Sequence, residues 1–520
     1  MVQKSVVMIM VLTLFSKVLG FTRDIILAYY YGVSAISDAF LIALIIPSVL
    51  FTFIASGISN SYIPIYSNLE SKYGKGEVNY FTNNIINLLL AISTFFVIVV
   101  LLFTEPIVKI FASGFDGETL MLAVSFTRIT IVSVYFTGLI HIFTAFLEIH
   151  KSYVAPSVMG LPFNIGLMLG IMLSSTASIY LLPVGKVAAI ILQFLFLLVF
   201  VYKKGFKYRP LLDLKNKQMR QIMLLSAPII LGTSVEQINK LVDRTLASTI
   251  TVGGVSALNY ANQLNLFIQG IFVMSIMAVF YPIISKMAAH NNLLGLKKSL
   301  TKTIVVICAL LIPTTVGTLI FSKQIVSILF ARGAFTSEAA LLTSDALFYY
   351  SIGMVGFGIS IVLTKTFYSL QDTKTPMKNA VLTMVLNIIL NLILSRYLGV
   401  GGLALATSIS STFCTILLFA SLRNKIGFFE FKELLLKFLK ITVASMIMGV
   451  IVKFVYDAII QEINSGLALL SSILIGIVVY FVIVYFLKVR EIEEFLVGIR
   501  RIGKKSYRDK YKKSRYSQAK

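Results

Sequence analysis

The chain has 520 residues, of which 58% are hydrophobic and only 13% charged, and its apolar stretches recur from residue 5 to residue 488. A soluble domain carries about a quarter charged residues, so a water-soluble globule is excluded and lipid must be the solvent for most of the chain. The formal charge of +24 would suggest nucleic acid in a soluble protein. Here the excess lies in alternate loops and in the tail Lys488–Lys520, as befits segments held against anionic lipid on the cytoplasmic side.

In chain order, membrane-spanning helices are predicted at 5–31, 35–66, 80–104, 121–148, 154–176, 181–203 and 219–250. A second set follows at 254–285, 300–321, 340–369, 376–396, 400–423, 435–459 and 464–488. Several are long enough to project beyond the hydrocarbon. The first reads as a helix of the mature protein, because it outruns a signal core and carries Lys17 and Arg23. The fold class is therefore all-α and integral to the membrane, with about fourteen helices.

Loop charge alternates along the whole chain. Tyr202–Arg220 alone holds seven Lys and Arg residues, and same-side loops add Lys72, Lys151, Lys297, Lys374 and Arg423. The intervening loops hold little beyond Lys109, Lys323, Arg332 and Arg396. The pattern predicts that both termini face the cytoplasm.

An internal repeat is visible. Gly32-Val33-Ser34-Ala35 recurs as Gly254-Val255-Ser256-Ala257, and Tyr62-Ile63-Pro64-Ile65-Tyr66-Ser67 is echoed by Phe280-Tyr281-Pro282-Ile283-Ile284-Ser285. Phe111-Ala112-Ser113-Gly114 answers Phe330-Ala331-Arg332-Gly333. The shared spacing of roughly 220 residues reads as two six-helix lobes, 1–215 and 216–430. Two further helices (431–490) and a basic tail (491–520) follow. Two parallel lobes suit alternating access.

Ionisable residues inside apolar runs carry the functional signal, since a central Lys or Arg costs about 2.5–3.5 kcal/mol on insertion scales. The first helix holds Lys17, Arg23 and Asp24, and the second begins with Asp38. One reading is a cationic wall facing an anionic headgroup; the plainer one is a local Arg23–Asp38 ion pair, or snorkelling. The seventh helix repeats the theme with Glu236, Lys240, Asp243 and Arg244, although Glu236–Lys240 has the i,i+4 polarity of a self-neutralising pair. Lys365 lies near the end of the tenth helix, where snorkelling is easy. Asp243, Asn387, Asn391 and Thr407 together make a candidate hard-oxygen site for a monovalent cation, or else ordinary interhelical hydrogen bonds.

Enzyme signatures are lacking. Gly498–Lys505 is a near miss to a phosphate-binding loop, with Lys505 where Ser or Thr is needed and no preceding strand. Gly353, Gly356 and Gly358 fall inside an apolar helix and suit close packing better than dinucleotide binding. Cys308 and Cys414 sit singly in apolar runs and read as buried thiols. No cofactor is expected.

At Ser16-Lys17-Val18-Leu19-Gly20-Phe21-Thr22-Arg23-Asp24 the chain resembles the MurJ (MviN) family of lipid II flippases, within the multidrug/oligosaccharidyl-lipid/polysaccharide exporter superfamily. Further matches are Ser37-Asp38-Ala39-Phe40, Tyr62–Ser67, Phe330–Thr336 and Phe367–Pro376. The resemblance covers nearly the whole chain. It implies two six-helix lobes, two extra helices flanking a groove for the polyprenyl tail, and outward transport of undecaprenyl-diphosphate-linked peptidoglycan precursor across the bacterial plasma membrane. Carried over by position, Arg23 and Asp38 match cavity residues, with Asp38 orienting or gating Arg23 and Asp24 beside it; Lys17 keeps the charge of a usual Arg, and Lys365 matches a position that is often basic. Phe51-Thr52 and Gln263 stand where the family commonly has Arg, so either Lys240 or Arg244 substitutes for the missing charge or the cargo is a different lipid-linked glycan. The drive would be membrane potential or a Na+ or H+ gradient. Implied partners are the lipid-linked glycan, membrane lipids and cell-wall synthesis machinery, with no nucleic acid. Alternatives from the same residues are a flippase for teichoic-type or capsular glycans, a drug–cation antiporter of the superfamily, and an integral-membrane glycan transferase.

Overall fold

A computed structural model describes residues 2–427 and 431–488, apart from the side chains of some residues, Glu236 among them. The basic tail and the boundary expected near 430 lie outside the described residues.

The described chain is all-helical. Helix α1 (Val2–Tyr31) turns at Gly32 into α2 (Ala35–Tyr73), where the Ser34 side chain caps the new helix by accepting from the Ser37 amide. At 1.5 Å per residue α2 runs for about 58 Å, well beyond a hydrocarbon core of about 30 Å. Next come α3 (Lys75–Leu102) and α4 (Thr104–Phe111). The short α4 is absent from the predicted spans; its Pro106 sits in the first turn, where a missing N–H costs nothing. Helices α5 (Gly117–Thr130) and α6 (Ser133–Ile149) form one span bent by 47° in place of a straight 121–148 helix. Then α7 (Val154–Val158) and α8 (Gly160–Thr176) fill the run at 154–176, and α9 (Leu181–Lys203) follows.

The second half opens with α10 (Lys217–Ile250), α11 (Gly254–Ala289) and α12 (Leu293–Phe330). A second bent span joins α13 (Ser337–Ile352) to α14 (Met354–Ser369) at 48°. Helix α15 (Lys374–Ile426) breaks at Gly399 (φ 55°, ψ −133°). Asn387 on its first limb reaches Thr407 on its second, so the limbs fold back on each other and realise the separate runs predicted at 376–396 and 400–423. Helices α16 (Phe431–Ile459) and α17 (Ser465–Phe486) complete the described chain. Among the described residues nine helices are long and apolar enough to cross a membrane, and the bent pairs raise that to eleven. Dividing α15 and adding α1 and α10, of 30 and 34 residues, yields helical runs at all fourteen expected places.

The chain divides into two compact units. The first comprises residues up to Gly270 with Ile325–Tyr350 and Ala380–Ser410; the second comprises Ile271–Gln324, Ser351–Asn379 and residues from Ser411 onward. Within the first unit the repeat motifs dock reciprocally. The loop after α4 lies on the end of α10: the Gly114 amide donates to Ser248 Oγ (3.2 Å), and Thr245 Oγ1 donates to the carbonyls of Ile110 and Phe111 (3.0 and 3.1 Å). The loop after α12 lies on the end of α1, with the Ala334 amide donating to Tyr29 O at 2.8 Å. Both contacts demand glycine, because a Cβ would stand 2.2 Å from Ser248 O at Gly114 and 2.3 Å from Tyr29 O at Gly333. The echo between these motifs in sequence thus has one physical cause, a backbone-to-backbone approach made twice.

In the second unit α14 packs against the second limb of α15. Thr415 Oγ1 donates to Gly356 O (2.6 Å) and Ser411 Oγ to Gly353 O (3.2 Å), while a Cβ at Gly356 would meet Thr412 Cα at 3.0 Å. These glycines serve close packing, as their setting in an apolar helix suggests. Helix α17 is tied to α12 by Tyr480 Oη donating to Ala309 O (2.7 Å), and Tyr456 of α16 meets Phe321 edge-on at 5.2 Å between ring centres. A cavity of about 550 Å³ lies against α12, lined by Ile304, Cys308, Ile359, Ile416, Phe438 and Ile441.

Candidate functional site: an intramembrane charge cluster

Arg23 lies in α1 eight residues before its end. Its Nε and Nη2 donate to Asp24 Oδ1 (3.0 and 2.7 Å), and its Nη1 donates to Asn164 Oδ1 on α8 (3.3 Å). Asn164 Nδ2 in turn donates to Ser16 O (3.3 Å), which pins α8 to α1. Neighbouring residues on a helix point in different directions, so Arg23 must fold its long side chain back along α1 to reach Asp24. The pair is partly sheltered, with side-chain exposures of 20% for Arg23 and 8% for Asp24.

The expected Arg23–Asp38 pairing is replaced by another contact. Asp38 is fully buried at the start of α2, where Oδ2 accepts from the Gly253 amide (2.8 Å) and Oδ1 from the Ser256 amide (2.7 Å). Those amides are among the donors left unsatisfied at the N-terminus of α11, so a carboxylate there meets both the hydrogen bonds and the positive end of the helix dipole. Arg244 completes the junction from α10: Nη1 donates to Val255 O (2.7 Å) and Nη2 to Asn259 Oδ1 (2.8 Å). Nine residues separate Arg23 from Gly32 and Arg244 from Gly253, and both glycines have positive φ (57° and 85°). Each arginine thus stands the same distance before a positive-φ glycine, although the Gly-Val-Ser-Ala register, in which Gly32 answers Gly254, sets them one position apart, and the two hold different partners.

Lys17 is exposed on α1, and its ammonium end lies against the α11 backbone, where a Cβ on Gly270 would stand 2.7 Å from Nζ. Phe21, one turn along α1, stacks on Phe267 at 4.8 Å. Gln263 is half-buried on α11, and Lys240 lies on an exposed face of α10; the side chain of Glu236 is outside the described residues. Lys365 is exposed on α14, with Nζ 5.7 Å from the Tyr281 ring and 5.9 Å from the Tyr368 ring. Phe51 is fully buried, touching Gly138 and meeting Phe96 edge-on at 6.3 Å. An aromatic here is part of the apolar core around α2, α3 and α6.

Asp243, Asn387, Asn391 and Thr407 come together as one chain. Asn391 Nδ2 donates to Asp243 Oδ1 (2.7 Å) and Asn387 Oδ1 (2.9 Å), and Asn387 Nδ2 donates to Thr407 Oγ1 (3.4 Å). Asn391 Oδ1 is buried with no hydrogen-bond partner. One carboxylate and three neutral oxygens are a fitting set for a monovalent cation, and turning the Asn391 amide would bring its unsatisfied oxygen to bear.

Two residues of the cluster escaped the sequence reading. Asn164 is one, and Lys186 on α9 is the other: its ammonium sits 4.3 Å over the ring of Phe163, beside Asn164, within the field of Arg23. The signal was available, since a lone Lys inside the apolar run 181–203 is as costly as Lys17.

A family profile described as lipid II flippase MurJ matches residues 27–482. Curated relatives include the probable lipid II flippase MurJ of Buchnera aphidicola subsp. Baizongia pistaciae, 29% identical over 89% of this chain and 91% of that one. That of Thermotoga maritima is 28% identical over 93% and 96%. A solved structure titled lipid II flippase MurJ in an inward closed conformation superposes with a TM-score of 0.81 at 29% identity, covering 92% of this chain and 98% of the other. An inward-facing MATE-family multidrug transporter of the MOP superfamily matches at TM-score 0.64 and 14% identity, over 79% of this chain and 94% of that one, a likeness of fold alone. With the match running from α1 through α17, the chain belongs to the MurJ family of lipid II flippases.

Proposed function

We propose that the protein turns lipid II outward across the plasma membrane by alternating access, with Arg23 as the anchor for the diphosphate. The observation that carries this is a guanidinium in an apolar helix, held in place by Asp24 and Asn164 yet one-fifth exposed. A charge so placed is fixed before the headgroup arrives, and two phosphates outcompete a single shared carboxylate for its N–H groups. Lys17 supplies further positive charge two turns away on the same helix. No covalent chemistry is involved; the protein is a transporter.

The apolar cavity beside α12 and α16 is of the kind a polyprenyl chain would occupy. Residues 1–215 and 216–430 act as the two rocking lobes, with α16 and α17 appended to the second. Loop charge supports placing both termini in the cytoplasm. The Asp243–Asn391–Asn387–Thr407 chain is the candidate for coupling to a Na+ or H+ gradient, and Lys240, Lys365 and Gln263 are secondary headgroup contacts. Cell-wall enzymes that consume the translocated precursor would be the protein partners. Complementation of a strain depleted of its own lipid II flippase tests the reading. Rescue by the wild type and none by Arg23→Ala is expected; failure of a wild type that reaches the membrane would favour another lipid-linked glycan as cargo.

A further inference from the structure

We infer that Lys186 is a second phosphate-binding cation of the Arg23 site, so that α9 as well as α1 contacts the lipid-linked diphosphate. The inference rests on the flippase reading above and names a contact which that reading does not contain.

Lys186 occupies the second turn of α9, an otherwise uncharged helix until Lys203 at its far end. An ammonium there is costly unless something compensates it. Among the described residues no carboxylate pairs with it; its ammonium rests on the face of Phe163, at 4.3 Å from the ring centre. The nearest acid to the cluster is Asp24, whose Oδ1 already takes two N–H groups from Arg23. Phe163 precedes Asn164, the residue that accepts from Arg23 Nη1, so the two cations flank one stretch of α8. The position is fixed by backbone, because α8 and α9 touch at Gly170 and Gly185, where a Cβ on Gly170 would stand 2.7 Å from Gly185 Cα.

Two cations thus lie beside one stretch of α8 with a single carboxylate for the pair, and among the described residues that carboxylate is bonded to Arg23 alone. The surplus positive charge is what a multiply charged anion would neutralise, and a monoanion would not need both. The aromatic face holds the ammonium while the site is empty of headgroup, and it yields readily to phosphate oxygens because a cation–π contact is weaker than a charge-assisted hydrogen bond. A compact ammonium on a flexible stem can follow a moving headgroup, whereas Arg23 is held from two sides.

The test is lipid II binding by the full-length protein in nanodiscs, for wild type, Lys186→Met, Lys186→Gln, Lys186→Arg and Arg23→Ala. Undecaprenyl monophosphate and uncharged undecaprenol serve as comparison ligands. Loss of one charge-assisted contact predicts lipid II binding weakened about tenfold or more in both neutral variants. Monophosphate affinity should change less, and Lys186→Arg should restore most of the loss. A purely structural role for Lys186 would lower binding of all three lipids together and leave the diphosphate preference intact, which would overturn the inference. So would wild-type lipid II affinity in either neutral variant while Arg23→Ala is impaired, an outcome that leaves the flippase reading standing. A wild type that binds lipid II no better than undecaprenol would remove that reading and the inference with it.

Discussion

Replacing Asp38 should loosen the junction between the two halves of the repeat without touching any substrate contact. Its carboxylate satisfies two buried amides at the start of α11, at 2.8 and 2.7 Å. Asp38→Ala leaves both without an acceptor where the residue is 1% exposed, and a buried unsatisfied donor costs about 1–3 kcal/mol. The expected loss is therefore about 2–6 kcal/mol, with the lost charge–dipole attraction adding up to about 2 kcal/mol at most. Asp38→Asn keeps one acceptor oxygen and turns a donor toward the other amide, so about half the effect is expected. Unfolding in mixed micelles, followed by the far-ultraviolet helical signal, reads both variants against wild type. If Asp38→Ala unfolds with wild-type stability, the cap is not what holds α11 to α2, and the assignment of Asp38 to structure fails.

Gly333→Ala places a Cβ 2.3 Å from Tyr29 O at a residue with φ +63°, so it should destabilise by at least about 1–3 kcal/mol in the same unfolding assay. Asn391→Leu removes the partner of Asp243 at 2.7 Å and should abolish any stabilisation by Na+ over choline in thermal melts. If the wild type itself shows no such difference, the cation role falls. In the loop after α14, the Lys425 ammonium bonded to Asp372 at 2.6 Å, aided by the Thr375 amide and hydroxyl, holds that carboxyl down at about 2 from the usual 3.8. A depressed pKa gives stability that is full above about 4 and lost as pH falls through about 2. Asp372→Asn should lower the melting point above about pH 5, where the ionised carboxylate is worth most, and the two profiles should converge as pH falls toward 2.

Composition and loop charge made the helical runs legible, because a span must be apolar along its whole length and each loop must stay on its own side. What composition could not reveal is where a run bends. Helices α5 and α6, and α13 and α14, change direction within apolar sequence, and α4 is too short to register as a span. The repeat was readable at Gly114 and Gly333 because backbone contact tolerates only glycine there. The site was readable in part. As candidates, Arg23, Lys17 and Asp24 stood out by the cost of placing charge in an apolar helix, and the four oxygen-bearing residues around Asn391 do meet. Asp38 was placed in the wrong company because its partners are backbone amides, which leave no mark in sequence. Arg244 likewise spends one of its bonds on a carbonyl. The burial of Phe51, whose ring is packed against Gly138, also leaves no mark in sequence, because an apolar residue in an apolar helix carries no sign of its depth.

If a fixed guanidinium at Arg23 receives the diphosphate during transport, removing it must slow translocation. Headgroup accessibility in sealed vesicles measures this most directly, using fluorescent lipid II on one leaflet and a membrane-impermeant quencher on the other, with wild type and Arg23→Ala at equal incorporation. Rapid exposure is expected for wild type and a rate at least about tenfold lower for the variant, the value of one lost charge-assisted contact. Equal rates for the two proteins would contradict it.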